Sequence, residues 1–416
     1  MAMVRVGAVT FDWYPFDPLV RRISEAAVDG GDGVEVICLR QEGEKKQEVY
    51  NGVRVVRLPM NRGFGRSLPL TVLSWLWFML LAGWVLTWRH LRQRYDVIHV
   101  HNLPDFLVFV ALIPRLLGAK IILHIQDPSP ELMVAKASGR KGALIFRLAC
   151  WQERLSCAFA HNVVTVGWPF EELLLRRGVP KHKITILLNS ADPKLFPPER
   201  RVPAPYTRAE SVGETEHSPF IVMYHGTLAE RNGLDTAIRA LALARKDAPQ
   251  LRLDIKGRGE HLPYLKQLAS ELEVSDHVLF TDPCPAEELV DFILHGDVGI
   301  IPYRRNGFSE LVLPTKAYEF AWMQRPIIAS DTKAIRSMFR EESILLCDAD
   351  SPEDFARGLV ELAQQRERRV RMTAYALQDY TPFRWEAMAQ LYRQLLRTLS
   401  KKNGKPVASP ASESTT

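Results

Sequence analysis

The chain has few cysteines and none of the spacings that give cysteine a structural role. Five residues, Cys38, Cys150, Cys157, Cys284 and Cys347, are spread over 416 positions without a C-x-x-C pair. Neither a disulfide framework nor a zinc site is indicated, and a reducing cytoplasm fits best. The opening "MAMVRVGAVTFDWYP" lacks a charged segment followed by an apolar one, so it reads as a first strand rather than a secretion signal. The G-x-G-x-x-G fingerprint of dinucleotide sites is missing. So is a long internal repeat, and so is any basic-aromatic module of the nucleic-acid-binding kind.

Acidic residues are scarce in the first half. Residues 1–200 hold 26 Lys and Arg against 18 Asp and Glu, the remainder 28 against 30. The basic excess belongs to the N-terminal half, and its field suits an anionic partner such as a membrane surface or a phosphorylated lipid. From Leu68 to Trp88, "LPLTVLSWLWFMLLAGWVLTW", charge is absent altogether. Such a run, roughly 20 residues, is long enough to cross a bilayer. Topology opposes crossing: "VRVGAVTF" before it and "YDVIHVH" after it read as strands of one sheet, which a spanning helix would place on opposite sides of the membrane. Two readings stand, a helix buried between sheet and neighbours, or one lying on a membrane surface. Five Trp or Phe residues within the run, and basic flanks at Arg62, Arg66, Arg89, His90, Arg92 and Arg94, favour the surface. The expected location is cytoplasmic, peripheral at the inner face of the membrane, with contact through residues 68–88.

With 47% hydrophobic and 25% charged residues, the chain has room for two cores of ordinary domain size. Apolar runs of strand length alternate with helix-like stretches: "VRVGAVT", "GVEVICL", "VRVVRL", "DVIHVH", "KIILHI", "NVVTV" and "KITILL". This is α/β with a parallel sheet. A proline-rich polar stretch around residues 193–219 interrupts the series, and a second follows: "FIVMYHG", "LRLDIKG", "HVLF", "DVGIIP", "PIIAS" and "SILLC". The expected division is a doubly wound domain over residues 1–198, a linker over 199–218, a second doubly wound domain over 219–383, a helix over 384–400 and a disordered tail over 401–416. Two such sheets joined by one linker place their carboxyl ends around a cleft, where open α/β sheets bind ligands.

Motifs at strand ends carry the chemistry. "FIVMYHG" runs into "TLAERNGLD", where Gly226 permits close backbone approach and Arg231, Asn232 and Gly233 open the next helix, a setting that favours an anion. "DIKGRGEHL" repeats the arrangement with Gly257 and Gly259. Each alone is also what a plain strand-to-helix turn looks like. In "SELVLPTKAYEF" a helix is predicted to begin near Thr315 or Lys316, after Pro314. A nucleotide diphosphate there meets free N–H groups, the positive end of the helix dipole and the Lys316 ammonium. Glu319, one turn further in, is placed to accept hydrogen bonds from ribose hydroxyls.

In order along the chain, "DPLVRR", "DVIHVHNLPDFLVF", "GAKIILHIQDPSPEL", "LLNSADPKLF", "HGTLAERNGLD", "VLPTKAYEF" and "FRWEAMAQLY" resemble the glycosyltransferase family 4 group of retaining, nucleotide-sugar-dependent enzymes with the GT-B fold. The likeness covers nearly the whole chain. It implies that the second domain binds the nucleotide sugar, with Glu319 on the ribose, Arg231 and Lys316 on the phosphates, and Gly226, Thr227, Asn232 and Gly257 around them. It also implies that the first domain binds the acceptor, a glycan or a polyprenyl-diphosphate-linked glycan, that the last helix crosses back onto that domain, and that no metal or other cofactor takes part. Three departures stand out. Eight residues separate Glu310 from Glu319 where the group has seven, so either the loop absorbs a residue or Leu311 takes the sugar-facing position. The group's phosphate-loop Arg and Lys fall on Thr227 and Asn232. Its His-Asp after the fifth strand is Gln126-Asp127 here, and glutamine can hold a hydroxyl but not take its proton. His101, Asp127 and Glu310 are the candidate catalytic residues, and Asp17, Arg21, Asn102 and Gln126 the candidate acceptor contacts. His99, His101 and His124 are equally read as core histidines. Two other functions fit the same fold, a nucleotide-sugar 2-epimerase and a non-catalytic nucleotide-sugar-binding partner.

Overall fold

The computed structural model describes residues 3–60, 68–134, 139–201 and 219–400. Most of the expected linker 199–218, the expected tail 401–416 and the flanking Arg62 and Arg66 lie outside them. The chain divides into two compact units, residues 1–189 with 386–416, and residues 190–385. The division falls after Asn189 rather than after Pro198 because the intervening residues bond to the second unit. Ala191 N donates to Tyr380 Oη at 3.0 Å, and Trp322 Nε1 donates to Phe196 O at 2.8 Å.

The first unit is built on eight strands: β1 (Arg5–Trp13), β2 (Gly33–Leu39), β3 (Gln47–Tyr50), β4 (Val53–Leu58), β5 (Val97–His101), β6 (Lys120–Ile125), β7 (Asn162–Thr165) and β8 (Ile184–Ile186). Their order is β3-β4-β2-β1-β5-β6-β7-β8. The central strands are buried on both faces, which is why they read as unbroken Val/Ile runs. The expectation of a wholly parallel sheet is corrected at one edge, where β3 pairs antiparallel with β4. The joining turn is Asn51-Gly52, both at positive φ (45° and 79°), the chemistry that a two-residue hairpin requires.

β4 and β5 belong to one sheet, so the Leu68–Arg92 helix between them does not cross a membrane. One of its faces, Phe78, Ala82, Leu86 and His90, is buried in the unit. The opposite face exposes Leu70, Leu73, Trp77, Leu80, Trp84, Trp88 and Leu91, spaced by three or four residues and thus forming one stripe, with Trp84 at 74% exposure. The helix is therefore neither wholly buried nor amphipathic in the usual sense. Exposed Leu112, Ile113 and Leu116, on the neighbouring segment, widen the apolar surface.

The helix Trp385–Ser400 packs within the first unit. Arg397 bonds to Asp32 and to Gly30 O, and Tyr392 Oη meets His99 Nδ1 at 2.9 Å. Its Met388, Tyr392, Leu395 and Leu396 are buried.

The second unit carries six parallel strands: β9 (Phe220–His225), β10 (Leu251–Lys256), β11 (Val278–Thr281), β12 (Val298–Ile301), β13 (Ile327–Ser330) and β14 (Leu345–Cys347), in the order β11-β10-β9-β12-β13-β14. On one face the helices Leu234–Ala244 and Pro352–Gln364 meet through Ile238, Leu241, Phe355 and Leu359. Full burial of each such side chain stabilises by about 1.5–3 kcal/mol. This packing holds the carboxyl end of β9, where the candidate residues collect.

Candidate functional site

β9 ends at His225, and the chain then opens at Gly226 with φ of +126°, a conformation that side chains rarely adopt. A Cβ there would sit 3.4 Å from Lys316 Nζ, so the bare backbone leaves room beside the ammonium. Gly257 serves a different end: its own Cβ would lie 1.9 Å from Gly226 O, so it is needed for the two strand ends to pass each other.

The helix Thr315–Trp322 follows Pro314, which has extended backbone and provides no side-chain cap. Its first N–H groups lack intrahelical acceptors, as at every helix start. Lys316 is buried at 5% exposure. Its Nζ donates to Tyr303 Oη at 2.9 Å and lies 4.4 Å from the Tyr224 ring centroid. Burial works against the charged form, but the Tyr224 and Tyr303 oxygens outweigh it and hold the lysine pKa above its usual range. One turn on, Glu319 Oε2 lies 3.0 Å from His225 Nε2. His225 was not among the sequence candidates, nor were Tyr224 and Tyr303, although all three stand at or just beyond strand ends in the motifs "FIVMYHG" and "IIPYRRNG".

The remaining candidates of this unit have diverse positions. Thr227 and Arg231 are exposed, and Arg231 lies 5.7 Å over the Phe308 ring. Asn232 is buried, with its amide donating to Tyr224 Oη at 3.0 Å and to Thr227 O at 2.6 Å. It shapes the loop from within. Glu310 accepts from Lys333 N at 2.9 Å and pairs with Arg305 Nε at 3.3 Å. Asp350, of the string Asp348-Ala349-Asp350, accepts from Arg304 at 3.2 Å.

In the first unit the carboxyl ends of β5 and β6 bring Asn102, Gln126 and Asp127 together. Asn102 Oδ1 accepts from Gln126 N at 2.8 Å, while its Nδ2 donates to Asp127 O at 2.8 Å and to Asp105 Oδ1 at 2.9 Å. Asn102 is thus the clasp of the two loops, and it is partly exposed together with Gln126 and Asp127. Asp105, missed at the sequence level, is fully buried and also accepts from Ser129 Oγ at 2.9 Å. Burial raises its pKa to about 6 against these hydrogen bonds.

His101 is buried, its Nδ1 3.4 Å from Gln126 Nε2. Burial alone pulls its pKa down to about 3, so it is neutral. His99 and His124 are buried and depressed for the same reason. The ligand atoms of the three lie within 4.8 Å of one another, but the His99 ring stacks on those of His101 and His124 with centroids 4.2 and 5.4 Å apart. Stacked planes do not aim their lone pairs at one point, as a metal would require. Asp17 caps the helix Pro18–Asp29, accepting from Leu19 N at 2.9 Å and Val20 N at 3.0 Å, and Arg21 lies one turn into that helix.

Two family models match the chain in series: "Glycosyl transferase 4-like domain" over residues 18–190 and "Glycosyl transferases group 1" over residues 207–379. Among curated relatives, a D-inositol 3-phosphate glycosyltransferase of Thermomonospora curvata is 28% identical over 312 residues, covering 72% of this chain and 70% of the relative. A GDP-mannose-dependent alpha-(1-6)-phosphatidylinositol monomannoside mannosyltransferase of Mycobacterium tuberculosis is 28% identical over 222 residues, covering 52% of this chain and 57% of the relative. Among solved structures, sucrose-phosphate synthase from Thermosynechococcus elongatus superposes with a TM-score of 0.74 at 19% identity, over 95% of this chain and 99% of that one. With both units accounted for in sequence order, the chain belongs to the family 4 type of glycosyltransferase, nucleotide-sugar-dependent enzymes of the GT-B fold.

Proposed function

We propose that this glycosyltransferase retains the anomeric configuration of its donor and moves a sugar from a UDP- or GDP-sugar to a glycan or a lipid-linked acceptor, such as a polyprenyl-diphosphate glycan. The observation that carries the reading is Lys316, a buried ammonium at a helix mouth beside the open backbone of Gly226, with Glu319 one turn inside. Departure of a nucleoside diphosphate from an anomeric carbon needs its growing charge neutralised by groups already in place. Lys316, the first N–H groups of its helix and the exposed Arg231 supply that charge, and the reading assigns this work to them rather than to a metal ion. Glu319, with His225 Nε2 3.0 Å from its Oε2, accepts from the ribose hydroxyls. In the first unit Asp127 and Gln126 hold the acceptor hydroxyl. His101 is neutral and buried, and it positions Gln126. In a retaining transfer the departing phosphate oxygen, on the same face as the incoming hydroxyl, takes the acceptor's proton, so Gln126 need not be a base.

The names of the relatives support a phosphorylated or lipid-bound acceptor, since they include an inositol phosphate and a phosphatidylinositol mannoside. The exposed Trp77 and Trp84 stripe and the basic first half support attachment at the cytoplasmic face of a membrane. Thermal unfolding with a panel of UDP- and GDP-sugars tests the donor, because selective binding raises the melting temperature by mass action. NMR of the product's anomeric proton tests retention. An inverted product, or no stabilisation by any nucleotide sugar, refutes the reading. Replacing Trp75, Trp77 and Trp84 with serine is expected to abolish vesicle binding, and unchanged binding removes the membrane from the account.

A further inference from the structure

The candidate donor and acceptor groups lie at carboxyl ends of strands. A cavity lies at the other end of the first sheet, where β1, β2 and β4 begin. Its volume is about 580 Å³, and Arg5, Arg54, Arg89 and Arg92 line it with Glu35 and Trp88. Glu35 is the one acid of this lining, and it is already shared: Arg89 Nη1 lies 2.6 Å from it, Arg54 Nη1 3.7 Å, and the Tyr95 hydroxyl bonds to it as well. Four guanidinium groups against one carboxylate leave an uncompensated cationic site. Arg92 stacks 3.4 Å over the Trp88 ring, which fixes its planar fork at the cavity wall.

The same tryptophan belongs to the exposed stripe of the Leu68–Arg92 helix, so the cationic cavity is continuous with an apolar surface. A ligand that fits both is anionic at one end and apolar at the other. We propose that this cavity binds the phosphate of an anionic membrane phospholipid, with the Trp84 and Leu80 side of the stripe among the acyl chains. The inference rests on the peripheral-membrane reading above and adds a lipid-binding site separate from the transfer reaction.

The test is vesicle co-sedimentation of the full chain with phosphatidylcholine alone and with added phosphatidylglycerol. The expected result is tighter binding to the anionic vesicles. The double variant Arg54→Gln, Arg92→Gln is expected to bind them roughly 30-fold more weakly, with binding to neutral vesicles unchanged. A control that removes two exposed charges beyond the carboxyl end of β2, Lys45→Gln with Lys46→Gln, is expected to change little. No binding to either vesicle refutes the membrane reading and this site with it. Equal binding to both vesicles, or an equal loss in the control, refutes the site and leaves membrane contact standing. Soluble glycerol phosphate that displaces the chain from anionic vesicles completely assigns the cavity to a free phosphate compound and overturns the lipid.

Discussion

Replacing Lys316 with methionine separates two roles that a buried lysine can have. In the unliganded chain the ammonium is 5% exposed, its hydrogen-bond acceptor is Tyr303 Oη at 2.9 Å, and no carboxylate pairs with it among the described residues. The Tyr224 and Tyr303 oxygens offset the cost of burying this charge, and methionine fills the same stem volume without needing them. The fold should therefore change by no more than about 1 kcal/mol. The donor should suffer instead. A charge-assisted hydrogen bond contributes about 1.5–3 kcal/mol, so affinity for a nucleoside diphosphate should fall roughly 10- to 150-fold. Thermal unfolding without ligand gives the first quantity, and calorimetric titration with UDP and GDP gives the second. A variant that loses about 2 kcal/mol of stability while binding nucleotide as before would refute the reasoning, because the lysine would then be a structural strut for Tyr224 and Tyr303.

Other substitutions sort the neighbouring groups. Glu319→Gln should weaken donor binding about tenfold or more, as a charged acceptor is lost, whereas Glu310→Gln should leave nucleotide affinity unchanged; titration of both decides whether the two glutamates act together. Asp17→Ala should cost about 1 kcal/mol as a lost helix cap, read by urea unfolding, with nucleotide affinity unaltered. Asp105 gives a pH signature. Its folded pKa of about 6 exceeds the ordinary 3.8, so the folded chain binds this proton more tightly and is destabilised as pH rises through that window. The stability advantage of Asp105→Asn over the native chain should therefore shrink by about 2.4 kcal/mol between pH 7 and pH 4. An advantage independent of pH would refute the assignment.

The strands were legible because parallel strands buried on both faces leave uninterrupted apolar runs. The hairpin strand β3 was not, since "QEVY" is half exposed and carries no such run; only Asn51-Gly52 signalled it. The donor-side helix was legible from Pro314 and Lys316, but the groups that set its chemistry, Tyr224, Tyr303 and His225, come from other strand ends that only folding brings near. Asp17 and Asn102 have the composition of ligand contacts, yet the structure engages them with backbone groups. Polar residues at strand and helix ends answer to two demands, satisfying orphaned backbone and meeting a ligand, and sequence does not distinguish them.

The return of the Trp385–Ser400 helix to the first unit sets an order on biosynthesis. Residues 1–189 leave the ribosome long before the segment that contributes Tyr392, Leu395 and Leu396 to their core and Arg397 to Asp32. The first unit is translated first but completed last, and the nascent chain carries an open apolar groove while the whole second unit is synthesised.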